Sequence, residues 1–183
     1  MTIIPTHLEG CFIIEPKVLR DERGYFMESY NAQTFARETG INIQFVQDNQ
    51  SFSSRGVLRG LHYQAGDFAQ TKLVRVIQGE VLDVAVDIRP NSATYGQHVA
   101  VNLSSENQRQ LYIPKGFAHG YAVLSETAIF FYKCDTFYDR ESEGGVKFDD
   151  PALGINWQLN PEEWLVSEKD LHQPLFANSR PAW

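Results

Sequence analysis

One ten-residue segment holds the densest set of side chains that can transfer a proton or bind an anion. Residues 55–64 read RGVLRGLHYQ. The His62 imidazole can act as a base near neutral pH, and the Arg59 guanidinium can bind a phosphate group. In a regular strand these two residues would face opposite sides, but a bulge at Gly60 can bring them to the same side. A single histidine is more often a structural residue than a base, so this segment alone does not establish catalysis.

A second histidine follows a proline–glycine turn in residues 114–119, which read PKGFAH. This pattern resembles the second motif of cupin β-barrels, which delivers a histidine into the barrel. The first cupin motif normally supplies two histidines two residues apart, and here the second of those positions is Gln64. His119 alone cannot hold a transition metal, which needs three or four ligands. We therefore expect no metal site.

Three further residues have the chemistry of an acid–base set, although each has a simpler structural explanation. Lys72 would ordinarily be a solvated strand residue. Tyr132 ends the apolar run AIFFY of residues 128–132, where a core aromatic with a satisfied hydroxyl group is the default interpretation. Asp170, in the sequence SEKD, would ordinarily lie at a helix end or in a turn. Taken singly, none of them indicates a function.

Composition narrows the class of protein. The 183 residues, 43% of them hydrophobic, predict one globular domain over residues 1–183. A net charge of -7 argues against a nucleic-acid-binding protein, although converging cationic side chains could still hold one small phosphorylated ligand. No apolar run approaches the roughly 20 residues of a membrane span, and the first residues lack a signal-peptide pattern. We expect a cytoplasmic protein that does not bind membranes.

Short strands dominate the elements that must position these residues. Runs rich in β-branched and aromatic residues predict strands over residues 12–14, 73–77, 81–88, 99–103 and 128–134. The sequence Gln78-Gly79-Glu80 predicts a hairpin turn between two of them. The strand at residues 11–14 is expected at a sheet edge, where another chain can pair.

Helix signals are few. Asn31 is a good N-cap for a helix over residues 32–39, with Gly40 as its stop. Asn160, followed by a proline and two glutamates, predicts a second helix start. Many short strands with little helix predict an all-β, cupin-like antiparallel jelly roll, a β-sandwich or barrel with a few short peripheral helices.

Five blocks of sequence, in order and sensibly spaced, resemble the dTDP-4-dehydrorhamnose 3,5-epimerase family along nearly the whole chain. They are GCFIIEP at 10–16 continuing into DERGYFME at 21–28; FVQDN at 45–49 through GLHYQ at 60–64; KLVRV at 72–76 through DIR at 87–89; PKGFAHGY at 114–121; and DDPALGI at 149–155. The resemblance implies a jelly-roll homodimer without metal or organic cofactor. It implies a dTDP-sugar substrate, the dTDP-linked 4-keto-6-deoxyhexose, and an isomerase activity in dTDP-L-rhamnose biosynthesis.

The resemblance also implies roles for the acid–base residues. A ketone at C4 acidifies the protons on C3 and C5, and an epimerase must remove one and return a proton to the opposite face. His62 would be the base, and Asp170 would hold its ring and stabilise the imidazolium. Lys72 would stabilise the enolate oxygen, and Tyr132 would donate the proton from the other face.

The remaining matches would bind the nucleotide. Arg23, Arg59, His119 and Lys169 would meet the pyrophosphate or neighbouring groups. Hydrogen-bonding groups for the base and sugars would come from Glu28, Gln47, Asp48, Asn49 and Glu143, and stacking on thymine from Phe26 and Tyr138. In the family the N-terminal region reaches towards the neighbouring subunit, so Arg23 and Glu28 are expected to complete the partner's site.

Two alternatives remain open from sequence. A relative that epimerises only C3 or only C5, for another deoxysugar, would keep His62 and Tyr132 unchanged. A non-catalytic cupin that binds a nucleotide sugar would need no acid–base set. Conversion at both carbons is the leading hypothesis.

Overall fold

A computed structural model describes residues 1–180, so the last three residues of the predicted domain lie outside the described part. Two antiparallel sheets face each other. The strands of the first sheet are β1 Thr2–Pro5, β2 Phe12–Glu15, β5 Gln47–Ser54, β7 Lys72–Gln78, β10 Gln110–Ile113 and β12 Thr127–Cys134. Their spatial order is β1-β2-β10-β7-β12-β5.

The second sheet has the order β13-β6-β11-β8-β9. Its strands are β6 Val57–Gln64, β8 Glu80–Asp87, β9 His98–Ser104, β11 Phe117–Val123 and β13 Glu143–Gly145, with β14 Leu165–Val166 pairing in parallel with β6. A separate hairpin consists of β3 Val18–Asp21 and β4 Gly24–Met27. These facing sheets confirm the predicted cupin-like jelly roll.

The helices lie at the periphery, as predicted. Helix α1 covers Ala32–Thr39; the Asn31 side chain accepts a hydrogen bond from the Thr34 amide, and Gly40 ends the helix at a φ of 73°. Helix α2 covers Glu168–Leu171, and short 3-10 turns cover Gly66–Phe68, Pro161–Glu163 and Phe176–Asn178. No helix in residues 1–180 is long and apolar enough to cross a membrane.

Apolar packing fills three layers. Valine, leucine and aromatic side chains such as Val74, Val81 and Phe130 form the core between the sheets. The outer face of the first sheet is covered by α1, whose buried Phe35 packs on Phe12 and Tyr112. The outer face of the second sheet is covered by the segment after β13, as far as residue 176. Each buried side chain of this size contributes about 1.5–3 kcal/mol, so both coverings hold their sheets firmly.

Two local predictions are wrong, and a third, the helix start at Asn160, is confirmed only as a short 3-10 turn. Residues 78–80 do not form a hairpin, because β7 and β8 belong to different sheets; Gly79, at a φ of 80°, turns the chain from one sheet to the other. The start at Asn160 leads to the 3-10 turn Pro161–Glu163, since the chain then extends to pair with β6. Strand β2 is interior, with β1 and β10 on either side, so it offers no free edge.

Candidate active site

A cavity of about 420 Å³ opens between the two sheets. Its walls combine charged, polar and aromatic side chains from both sheets and from α2. The lining residues are Asn49, Gln50, Ser51, Arg59, His62, Lys72, His119, Gly120, Tyr121, Phe130, Tyr132, Ser167, Lys169 and Asp170. A concave site of this size with several convergent ionisable groups is the usual form of an enzyme active site.

A bulge in β6 brings Arg59 and His62 to the same wall, as predicted. Along β11, His119 pairs with His62 and Tyr121 pairs with Arg59, so three steps on β6 match two on β11. The extra residue is Gly60, at a φ of 121°. A Cβ atom there would lie 2.6 Å from the Gly120 Cα, which only glycine avoids. The bulge therefore reverses the side-chain alternation between residues 59 and 62.

The same bulge helps to hold the predicted histidine–aspartate pair. The His62 Nε2 lies 2.6 Å from Asp170 Oδ1, which confirms the predicted contact across 108 residues of chain. The Gly60 amide donates to the other carboxylate oxygen at 3.2 Å. Asp170 is buried, and burial alone would raise its pKa, but the hydrogen bonds and charge of His62 and the Gly60 amide lower it overall. The carboxylate therefore stays ionised beside the imidazole.

Strand β14 fixes the position of Asp170 relative to β6. It pairs in parallel with Val57 and Leu58, and α2 follows it directly. Gly56 permits this contact, since a Cβ atom there would lie 2.1 Å from the Glu163 carbonyl oxygen. Arg55 and Glu163 form an ion pair at 3.1 Å at the same junction. The C-terminal segment is thus fastened to the strand that carries His62.

Lys72 and Tyr132 reach the cavity from the first sheet, across from His62. Burial lowers the pKa of Lys72, while the nearby Cys134 and Asp83 act in the opposite direction. Burial raises the pKa of the Tyr132 hydroxyl group to about 12. The Lys72 ammonium lies 5.8 Å from the centre of the Tyr132 ring. A phenolic hydroxyl group and a lysine amine therefore share one wall of the cavity.

Sequence reasoning missed a second histidine–aspartate pair. The His119 Nε2 lies 2.9 Å from Asp83 Oδ2, and both side chains are buried. Asp83 Oδ1 has no hydrogen-bond partner within residues 1–180. The sequence could have indicated this pair, because Asp83 lies inside the apolar strand VLDVAVDI and a buried carboxylate requires a hydrogen-bond partner.

Six residues that line the cavity were not predicted: Gln50, Ser51, Gly120, Tyr121, Phe130 and Ser167. Ser51 Oγ and the Tyr121 hydroxyl group lie 2.8 Å apart, and the Tyr121 ring stacks on Phe130 with centroids 4.2 Å apart. Ser167 caps α2 and accepts a hydrogen bond from the Asp170 amide. Serines and core-type aromatics carry no individual sequence signal, so only the topology reveals their place.

Glu143 and Lys169 form an ion pair beside the cavity, at 2.6 Å. The Tyr138 hydroxyl group donates to Glu143 at 3.2 Å. Burial alone would raise the pKa of Glu143, but its bonds with Lys169 and Tyr138 lower it overall. Tyr138 and Glu143 also line a smaller cavity of about 110 Å³, which shares His62, Lys72 and Tyr132 with the main one.

Some predicted ligand residues lie elsewhere. Asp48 points to the outer face of the first sheet, where it forms an ion pair with Lys133 at 2.9 Å. Gln47 is engaged internally, with Asn49 and with the Tyr138 amide. Arg23, Phe26 and Glu28 lie in or just after the β3–β4 hairpin and do not line the cavity of their own chain.

Gln64, at the position of the second cupin histidine, is committed to backbone contacts. Its amide group donates to the Phe68 and Phe137 carbonyl oxygens and accepts from the Asp139 amide. Within residues 1–180 no group of three or more His, Cys, Asp and Glu side chains is arranged to hold a metal ion. Cys11 and Cys134 are both buried free thiols.

Comparison with known families decides the classification. A sequence model described as dTDP-4-dehydrorhamnose 3,5-epimerase matches residues 5–178. The chain belongs to this family. A dTDP-4-dehydrorhamnose 3,5-epimerase from Salmonella typhimurium is 54% identical to it over 178 residues, which cover 96% of each chain.

Members of the epimerase family with solved structures share the fold. A dTDP-6-deoxy-D-glucose-3,5-epimerase from Legionella pneumophila, in complex with dTDP-4-keto-L-rhamnose, matches with a TM-score of 0.93 and 52% identity. The match covers 97% of this chain and 93% of that one. A more distant relative, a dTDP-4-dehydrorhamnose 3-epimerase from Streptomyces niveus, is 35% identical and matches 100% of this chain and 87% of its own.

Proposed function

We propose that this epimerase converts dTDP-4-dehydro-6-deoxy-D-glucose into dTDP-4-dehydro-L-rhamnose by inverting C3 and C5, a step of dTDP-L-rhamnose biosynthesis. One observation carries the proposal: His62, bound to Asp170, and Tyr132 line one cavity from different sheets. Inversion needs a base and an acid on opposite faces of the sugar ring, and groups from facing sheets meet that need. The family and its ligand-bound Legionella member support the substrate.

Proton transfer begins at His62. Its ring takes the proton from a carbon next to the C4 ketone, and the electron pair of that C–H bond moves towards the ketone oxygen to give an enolate. Asp170 fixes the ring and stabilises the imidazolium that forms, as its 2.6 Å contact with His62 allows. The Lys72 side chain lines the same cavity, where its protonated form would place positive charge at the developing enolate oxygen.

Tyr132 completes the inversion. Its pKa of about 12 keeps the hydroxyl group protonated at neutral pH, so it can donate to the carbon from the face opposite His62. The resulting tyrosinate is stabilised by the nearby Lys72 and Arg59 cations. After each inversion His62 gives its proton to solvent and Tyr132 takes one up from solvent, which returns both groups to their starting states. The same pair then serves C3 and C5 in turn, since both carbons flank the same ketone.

Cationic residues at the cavity bind the nucleotide diphosphate. Arg59, His119 and Lys169 line the cavity, and all three can donate hydrogen bonds to phosphate oxygens. Lys169 also forms an ion pair with Glu143 at 2.6 Å, which holds its ammonium group beside the cavity. Tyr138, with an exposed ring, stacks on thymine.

A second copy of the chain completes the site. Phe26 is 71% exposed, and the Arg23 side chain is 84% exposed and makes hydrogen bonds only with Asp21 within residues 1–180. A hairpin with an exposed aromatic ring and an exposed guanidinium is suited to reach into a neighbour. In the proposed homodimer, Arg23, Phe26 and Glu28 of each chain serve the other chain's cavity.

Epimerisation at one carbon only is the alternative function, favoured by the 35% identity with the Streptomyces niveus 3-epimerase. The 3,5-epimerase from Salmonella typhimurium is closer, at 54%. A one-carbon enzyme would use the same His62 and Tyr132, so the products, not the residues, separate the two functions. The cytoplasmic location and the single domain over residues 1–183 stay predictions from the sequence.

Substitution of the base tests the proposal. His62→Asn keeps a polar side chain but cannot accept the proton, so product formation should fall by roughly 10²–10⁴-fold. The dissociation constant for dTDP should stay within about threefold of the wild-type value, because the ring does not bind the nucleotide. Near-normal turnover by a folded His62→Asn variant would show that another residue is the base.

A further inference from the structure

The loop between β12 and β13 carries two exposed aromatic residues, Phe137 and Tyr138, without belonging to either sheet. A loop of this kind is ordinarily among the more mobile parts of a fold. Here its backbone is bound at four consecutive residues, 136–139, by side chains from outside the loop. All of those side chains are glutamines.

Gln64 makes the central contacts. It is 5% exposed, and its Nε2 donates to the Phe137 carbonyl oxygen at 3.2 Å and to the Phe68 carbonyl oxygen at 2.8 Å. Its Oε1 accepts from the Asp139 amide at 2.7 Å. Both amide protons are used, and the oxygen is bound to the loop. A buried side chain with this many satisfied contacts fixes the two residues that flank Tyr138.

Two further glutamines extend this support. The Gln70 Nε2 donates to the Thr136 carbonyl oxygen at 2.8 Å. The Gln47 Oε1 accepts from the Tyr138 amide at 3.0 Å. The three glutamines come from β5, from β6 and from the segment before β7, so they tie the loop to both sheets.

The loop is fixed at the edge of the acid–base site. Tyr138 lines the smaller cavity together with His62, Lys72 and Tyr132. Its position there is set by its backbone, and its hydroxyl group is bound to Glu143. A ring held in place before the ligand arrives binds without the entropic cost of ordering the loop.

We propose that Gln64, assisted by Gln70, is a positioning residue for nucleotide binding: it holds the 136–139 backbone so that the Tyr138 ring is preorganised for the thymine base. The inference rests on the proposed function, in which Tyr138 stacks on that base. Gln64 and Gln70 line the smaller cavity beside His62 and Lys72, but both amide protons and the oxygen of Gln64 are committed to backbone groups. Loss of Gln64 should weaken nucleotide binding and leave the chemical step largely intact.

Calorimetric titration with dTDP, together with steady-state kinetics, tests this role. Gln64→Ala should raise the dissociation constant for dTDP and the KM by roughly tenfold, with kcat within about threefold of wild type. Gln70→Ala removes one half-buried contact, so it should fold normally and raise the same constants by a smaller factor. A merely structural role would instead lower the fraction of active protein and leave KM unchanged.

A double-mutant cycle shows whether Gln64 acts through Tyr138. When Tyr138→Ala has removed the ring, Gln64→Ala should cause almost no further loss of dTDP affinity. Ser125→Ala is the matched control, because Ser125 also holds a loop through several backbone contacts, but at the opposite end of β12. That variant should bind dTDP like the wild type.

Two results would decide against the proposal. Unchanged dTDP affinity in folded Gln64→Ala and Gln70→Ala variants would overturn it. An equal loss of affinity from Gln64→Ala with and without Tyr138 would also overturn it. A wild-type protein that did not bind dTDP would instead overturn the proposed function itself, which distinguishes the two failures.

Discussion

At the scale of single residues, burial sets which groups carry a proton. Burial raises the pKa of Tyr132 to about 12, so its hydroxyl group stays protonated at any physiological pH. The pKa of Asp170 is lowered, since its hydrogen bonds outweigh the effect of burial, and it stays a carboxylate. The two groups therefore have different protonation states within one cavity: Tyr132 keeps its proton, and Asp170, the partner of His62, has lost its own.

Tyr132→Phe should uncouple the two halves of the reaction. The change keeps the ring and removes only the hydroxyl group, so His62 can still exchange a substrate proton with solvent. We expect deuterium to enter the substrate, while product formation falls by roughly 10²–10⁴-fold. One NMR time course in deuterated water measures both rates.

Tyr112→Phe is the control for this substitution. Tyr112 is buried between the first sheet and α1, outside the cavity, so loss of its hydroxyl group should affect neither rate. If Tyr132→Phe lowered exchange and product formation by the same factor, Tyr132 would not be the proton donor.

The sequence indicates which residue types could act as acid and base, but it does not show that they lie close together in the fold. His62 and Asp170 are 108 positions apart, and only the family resemblance joined them before the fold was known. Asp83 could have been found, because it interrupts an apolar strand, whereas Ser51 and Tyr121 carry no such signal. Convergence of side chains from several strands depends on topology, which local patterns do not encode.

At the scale of elements, glycine positions decided which predictions succeeded. A bulge at Gly60 was predicted because it can bring Arg59 and His62 to the same side of the strand, and the structure confirms it. Gly79 was correctly placed in a turn, but a tight turn can join strands within one sheet or between two sheets. Only the pairing of β7 with β10 and β12 settles that choice, and it is non-local.

The loop after β8 depends on one buried carboxylate. Asp87 accepts hydrogen bonds from Arg89, Ser92 and Thr94 at 2.5–3.0 Å. Burial alone would raise its pKa, but these bonds lower it to about 2, from an ordinary value of 3.8. A depressed pKa means that the contribution is complete above about pH 4 and is lost as the pH falls towards 2.

Asp87→Asn should therefore lower the free energy of unfolding by about 2 kcal/mol at pH 7. The difference from wild type should shrink between about pH 4 and pH 2, as the wild-type carboxylate becomes protonated. Urea denaturation at several pH values and one fixed protein concentration measures it. Asp67→Asn, at an exposed position, should change little. A difference that stayed constant down to pH 2 would contradict the assigned role of Asp87.

At the scale of the whole molecule, a net charge of -7 coexists with a cavity suited to a diphosphate. Arg59, Lys72 and Lys169 converge there with His119, so several cationic side chains can meet one diphosphate in a protein of negative net charge. The β3–β4 hairpin carries a further cation, the exposed Arg23, which does not line the cavity of its own chain. The proposed homodimer would bring that charge to a neighbouring site.

Mixing two inactive variants tests this exchange. If Arg23 acts on the partner's cavity, Arg23→Ala and His62→Asn chains should complement each other in a mixed dimer. One of the two sites then has both residues, so equal mixing restores about a quarter of the wild-type activity. Each variant alone serves as the control. No recovery, with mixed dimers present by native mass spectrometry, would place Arg23 outside the partner's site.

The central claim is that the cavity abstracts and returns protons on both carbons beside the C4 ketone. Incubation of the wild-type protein with dTDP-4-dehydro-6-deoxy-D-glucose in deuterated water, followed by NMR, tests it most directly. We predict deuterium at both C3 and C5 and a product with the L-rhamno configuration. Deuterium at one carbon only would identify a one-carbon epimerase, and no incorporation at either carbon would contradict the account.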